Sequence, residues 1–187
     1  MRKLLTFILI AFCLAPFNCY CQEQNQNILL DYAANKIRNL VIENGYEAEP
    51  VSAISEDRSF LSFTYTRGTH MYVVIIGGKG DVFSVTHQTV ITFFTKEKTH
   101  AKDKKLISII CNQSNRDDKV FHFYYENEED KILVNIRNWH FYSKKNFNVD
   151  EFMLINETYI ECIHEAKEKF MTKLLKYLRE NMSQPSL

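Results

Sequence analysis

Near its carboxyl end the chain carries one long apolar stripe, and any fold must find a surface to bury it. Phe152, Ile155, Tyr159, Cys162, Ala166, Phe170, Leu174 and Tyr177 recur at helical spacing. Asn148 stands where a capping residue belongs, Glu151 follows three residues later, and Phe147 can staple onto Phe152. Acids lead (Glu157, Glu161, Glu165) and bases trail (Lys169, Lys173, Lys176, Arg179), which suits the helix dipole. Unbroken to Asn181, such a helix is about 45 Å long, more than a small sheet needs. Either it kinks or its end packs on a partner.

The rest of the chain supplies the sheet. A first helix is predicted from about Asn27 to Asn44, with Leu30, Ala33, Ile37, Leu40 and Val41 on one face and Gly45 as its terminator. Four strands follow, at Ala48 to Ile54, Phe60 to Thr66, His70 to Ile76 and Val82 to Phe93. Gly68 marks one turn between them, and Gly77, Gly78 and Gly80 another. The lysine-rich stretch Lys96 to Lys102 leads into a second helix from about Asp103, with Leu106, Ile109, Ile110 and Gln113 sharing a face. Val120 to Tyr125 and Ile132 to Arg137 then read as a hairpin around the acidic turn Glu126 to Asp130. The order α-β-β-β-β-α-β-β-α is that of an α+β fold, an antiparallel sheet with helices packed on it.

Residues 1–21 read as a cleavable export signal: Arg2 and Lys3, an apolar run from Leu4 to Phe17, and a cut ahead of Gln22. Residues 22–27 form a polar spacer, 28–181 a single domain and 182–187 a tail. Export would place the protein in the periplasm or outside the cell, away from nucleotides, NAD(H) and the genome. An acylated Cys19 or Cys21 is the weaker alternative, since neither is preceded by the small residues a lipid-anchor site would need. The apolar run is too short to span a bilayer, and no stable membrane insertion is expected. The chain has 23 basic and 23 acidic residues; without the leader 21 face 23, a balance that makes no case for nucleic acid or anionic lipid.

Three of five cysteines leave with the leader. Cys111 and Cys162 could pair in an oxidising compartment, or each could serve as a small buried hydrophobe. Cys111 follows Leu106-Ile107-Ser108-Ile109-Ile110, a setting that argues burial against nucleophilic use. His70, His87, His100, His122, His140 and His164 form no metal-binding pattern and read as scattered surface or strand residues; Cys162 and His164 lie on different helix faces. Gly77-Gly78-Lys79-Gly80 lacks the ending of a phosphate loop and reads as a tight turn, and the acidic turn lacks a calcium-loop glycine. No catalytic set, metal site or cofactor motif emerges.

Aromatic residues crowd the last hairpin. Phe121, Phe123 and Tyr125 alternate with His122 and Tyr124, and Trp139, Phe141 and Tyr142 follow. One face must be core. The other is either an interaction surface built on His122, Tyr124, Trp139, Phe141 and Tyr142, or a second face covered by helices.

Three segments resemble the YbjN-like family, whose fold is shared with type III secretion chaperones. They are Leu40-Val41-Ile42-Glu43-Asn44-Gly45-Tyr46 closing the first helix, Asn112-Gln113-Ser114-Asn115-Arg116 closing the second, and the hairpin Phe121 to Arg137 before the long helix. The likeness covers roughly Leu30 to Leu178. The link Ser143-Lys144-Lys145-Asn146 departs from the family's Pro- or Gly-containing one, and many members lack an export signal. The resemblance implies a non-enzymatic, often dimeric module that binds a polypeptide, and it names no catalytic residue. The alternative is a carrier of a small apolar ligand between sheet and final helix.

Overall fold

The protein is described by a computed structural model covering residues 28–96 and 100–182. The export signal, spacer and all but the first residue of the tail lie outside these residues. Helix α1 (residues 28–43) is followed by β1 (Glu47–Ala48), β2 (Ser52–Ala53), β3 (Phe60–Arg67), β4 (His70–Lys79) and β5 (Val82–Phe94). Then come α2 (His100–Asp117), β6 (His122–Asn127), β7 (Lys131–Ser143) and α3 (Val149–Met182). The strands form one sheet in the order β1-β3-β4-β5-β7-β6, with β2 also on β3 and every pairing antiparallel. This is the α+β fold expected from the sequence.

α1 ends as its glycine requires. Gly45 takes φ 82°, its N–H bonds the carbonyl of Ile42 at 2.9 Å, and the N–H of Tyr46 reaches back to Val41 at 3.2 Å. That pair of bonds closes a Schellman turn, and a side chain at position 45 would strain it. The expected strand from Ala48 to Ile54 is two short pieces instead. Pro50, which has no N–H to give, lies in the gap between them, as proline can on a sheet edge.

Gly77 and Gly78 are not in a turn. Both belong to β4, Gly78 donating to Ser59 at 3.0 Å, and the turn itself rests on Gly80. The ring of Phe60 lies across Gly77 so closely that a Cβ there would collide with it. Here glycine serves close approach, a use that its place beside a turn concealed.

Alternation sorts the sheet into two faces. Leu61, Phe63, Tyr65, Tyr72, Val74, Ile76, Phe83, Val85, Ile132, Val134 and Ile136 point to one side and are buried beneath the helices. α3 starts as expected: the Asn148 side-chain oxygen accepts from the N–H groups of Asp150 and Glu151, at 3.0 and 3.2 Å. The Phe147 and Phe152 rings meet at 5.1 Å. Over 34 residues it runs unbroken for about 51 Å. Its far end is tied to α2 by Lys173 and Asp117, 2.7 Å apart.

Two helix faces are rotated from expectation. α2 buries Ile107, Ile110, Cys111 and Ser114, while Gln113 is exposed. α3 buries Phe152, Asn156, Ile160, Ile163, Ala166, Lys167, Phe170 and Leu174, leaving Ile155, Tyr159 and Cys162 at its margin. In both, polar residues (Ser114, Asn156, Lys167) occupy core positions that a count of apolar residues passes over.

Candidate functional site

The sheet face away from this core has no helix against it among the described residues. Register places its side chains in rows across the strands. Phe60, Gly77, Ser84 and Phe141 make one row; Ser62, Ile75, Thr86 and Trp139 the next; Thr64, Val73, Gln88, Arg137 and His122 the third. Val90, Asn135 and Tyr124 continue below it. A soluble sheet face turned to water normally alternates with polar residues, yet Phe60 is 49% exposed, Trp139 39% and Phe141 63%. With Val82, Gly77 and Ser84, Phe60 and Phe141 border a shallow groove of about 230 Å³.

Beside the groove a single arginine stands among aromatic rings. The guanidinium carbon of Arg137 lies 4.7 Å from the ring centre of Tyr124 and 5.2 Å from that of Trp139. His122 stacks on Trp139 at 4.8 Å with the planes 19° apart. Both distances lie within cation–π range, so the two rings attract the guanidinium. Its buried Nε has no acceptor. Nearby, Gln88 donates to the Asn135 side-chain oxygen at 2.9 Å.

Of the five residues expected to form an interaction surface, His122, Tyr124, Trp139 and Phe141 share this face. Tyr142 does not. Adjacent strand residues point to opposite sides, so Phe141 and Tyr142 cannot both belong to it. Tyr142 is 8% exposed, stacks on Phe83 at 5.1 Å and meets Phe152 edge-on at 5.0 Å. Burial pushes the pKa of its hydroxyl well up.

The core side holds polar residues that sequence reasoning missed. His87 is fully buried and bonds Asn156 at 2.8 Å; Asn156 in turn donates to the Tyr142 hydroxyl and the Phe152 carbonyl, at 3.0 and 2.7 Å. Desolvation holds His87 down to a pKa of about 4 against its hydrogen bond to the Asn156 oxygen, so it is neutral at pH 7. The signal was its parity: His87 falls in step with Phe83 and Val85 along β5. Nearer the rim, the Tyr72 hydroxyl meets His164 Nδ1 at 2.7 Å, and Glu161 joins Arg67 and Tyr46 at 3.0 and 2.8 Å. These groups stitch α3 to the sheet.

Cys111 and Cys162, candidates for a disulfide, are each a free thiol. Burial raises the Cys111 pKa to about 12, which leaves negligible thiolate at neutral pH. Among the described residues no three His, Cys, Asp or Glu side chains converge to hold a metal ion, and no described helix is long and apolar enough to cross a membrane.

Neither a family model nor a curated protein matches the chain. Two solved structures are similar to it. An uncharacterized protein from Methanothermobacter thermautotrophicus has a TM-score of 0.47 at 15% identity, over 78% of this chain and 98% of its own. YbjN from E. coli has a TM-score of 0.40 at 7% identity, over 79% of this chain and 92% of its own. The YbjN-like likeness read from the sequence stays a likeness.

Proposed function

We propose that this chain is an exported, non-enzymatic binding module that engages a polypeptide, in the manner of a chaperone, through the uncovered face of its sheet. One observation carries the reading: Phe60, Trp139 and Phe141 stand exposed on a face that no described helix covers, beside Arg137 and Tyr124. Tryptophan, tyrosine and arginine are the residues on which protein contacts most often depend. Export rests on residues 1–21. The ligand-carrier alternative needs open space between sheet and α3, where Phe83, Tyr142, Phe147 and Phe152 instead pack ring against ring.

A photo-crosslinking amino acid placed at 141 tests the face, with one at exposed Glu157 on α3 as control, in cells that export the protein. Crosslinked polypeptide is expected from 141 and not from 157, and a Trp139→Ser change should weaken it. Equal crosslinking from both sites would sink the reading. Mass spectrometry of the exported chain should find Gln22 at its start; an intact Met1 would remove the exported part.

A further inference from the structure

We infer that the uncovered face selects a polypeptide segment carrying a carboxylate among apolar side chains, with Arg137 as the group that reads the charge. The inference rests on the binding-face reading above and adds to it the chemistry of the partner.

Among the described residues Arg137 lies against two aromatic rings and is paired with no carboxylate. An arginine laid along a sheet commonly finds a carboxylate across the strands, because opposite charges in facing positions stabilise the pairing. Here the facing positions are filled by Gln88 on β5 and His122 on β6, neither of which is an anion at neutral pH. The carboxylates of this face stand at its margins. Glu49, whose N–H bonds Thr64 at the far edge, is four strand spacings from β7, about 19 Å. Glu126 faces Leu133, four residues along β7 from Arg137, about 13 Å. The centre of the face therefore holds the Arg137 cation and no carboxylate.

The cation is also pre-set. Tyr124 and Trp139 flank the guanidinium, and His122 braces Trp139 from the next strand. A guanidinium already packed between two rings loses little freedom when it takes a carboxylate in a two-pronged bond. The groove between Phe60 and Phe141 lies two rows away, within reach of an apolar side chain on the same segment. Charge and shape together fit an acidic residue about four positions from an apolar one on an extended segment.

The test uses three fluorescein-labelled nonapeptides of alternating leucine and serine that differ only at the centre, which is aspartate, asparagine or lysine. Binding to the purified protein is read by fluorescence anisotropy at low and high salt. The aspartate peptide is expected to bind about tenfold more tightly than the asparagine peptide, less so at high salt, and the lysine peptide most weakly. Arg137→Gln should abolish the preference, so that the aspartate and asparagine peptides bind alike. Arg137→Lys, which keeps the charge but not the planar fork, should lose most of it. Equal affinity of the aspartate and asparagine peptides for the unaltered protein would overturn the inference and leave the binding face standing. No binding by any peptide, or unchanged binding by a Trp139→Ser/Phe141→Ser variant, would overturn both. A dimer in sedimentation that the same double variant dissociates would make the occupant a second copy, and would also overturn it.

Discussion

The side chain of Asn156 fixes the tautomer of His87 across 2.8 Å of buried interior. Asn156 donates from Nδ2 to the Phe152 carbonyl, which can only accept, so its oxygen is the atom turned to His87. The imidazole must therefore carry its proton on Nε2, and its bare Nδ1 is left buried without a partner. Asn156→Ala removes an acceptor from His87 and a donor from Tyr142 at once. A loss of about 2–3 kcal/mol is expected, read from the urea midpoint. A loss below about 0.5 kcal/mol would show the network to be dispensable.

The same histidine makes the fold sensitive to acid. In the unfolded chain His87 takes a proton below its usual pKa of 6.5, whereas burial delays this to about 4 in the folded protein. Between those values the unfolded state binds more protons, so stability falls as pH drops from 6.5 to 4 and flattens below. Stability above pH 6.5 is complete with respect to this group. The difference amounts to about 3 kcal/mol. Denaturation curves from pH 7.5 to 4 should show that slope, and His87→Gln should remove most of it even if the variant is less stable throughout. An unaltered slope in the variant would assign the acid sensitivity elsewhere.

Asn115, at the end of α2, grips the edge of the sheet. Its side-chain oxygen accepts from the Phe123 N–H at 2.8 Å and its amide donates to the Phe123 carbonyl at 2.7 Å, standing in for a neighbouring strand. β6 is an edge strand, and unpaired backbone there invites another chain. Asn115→Ala should cost about 1–2 kcal/mol and raise the aggregated fraction in size-exclusion chromatography. Asn115→Asp keeps the acceptor but sets a carboxylate against the Phe123 carbonyl, so it should not rescue. Full stability in Asn115→Asp would show that only the N–H bond matters.

What could be read in advance was what is local in the chain. The cap at Asn148, the staple of Phe147 on Phe152 and the turn at Gly45 depend on residues within a few positions of one another, and each formed as expected. The hairpin also formed, but β7 continues six residues past Arg137 to pair with β5 as far as Ser143 opposite Val82. Asn138, Trp139 and His140 dilute the alternation there, and only the long partner strand β5 reveals it. The face of α3 was misread because burial of Asn156 is paid for by His87 and Tyr142, which are distant in sequence. Within the candidate surface, the aromatic cluster was legible and its division by strand parity at Tyr142 was within reach. The two-ring cradle of Arg137 was not, since it needs the register of β6 on β7.

Phe141 and Tyr142 are neighbours in the chain with opposite surroundings, and this makes them a direct test of which face is which. Phe141 is 63% exposed, so truncating it removes little buried surface; Tyr142 lies among Phe83, Phe147 and Phe152 and anchors Asn156. Phe141→Ala should change stability by no more than about 1 kcal/mol, within the range of surface substitutions and partial contacts. Tyr142→Ala should cost about 3–5 kcal/mol, the toll of emptying an aromatic site in a packed core, with a further share from the stranded amide of Asn156. Urea titrations of the two variants beside the unaltered protein give the comparison. Binding should divide the opposite way: Phe141→Ala weakens peptide capture in a protein that melts normally, while Tyr142→Phe, which keeps the ring and gives up the hydroxyl, leaves capture intact. If Phe141→Ala proved as destabilising as Tyr142→Ala, the outer face would be a second core, and its aromatics would be packing residues and not a binding surface.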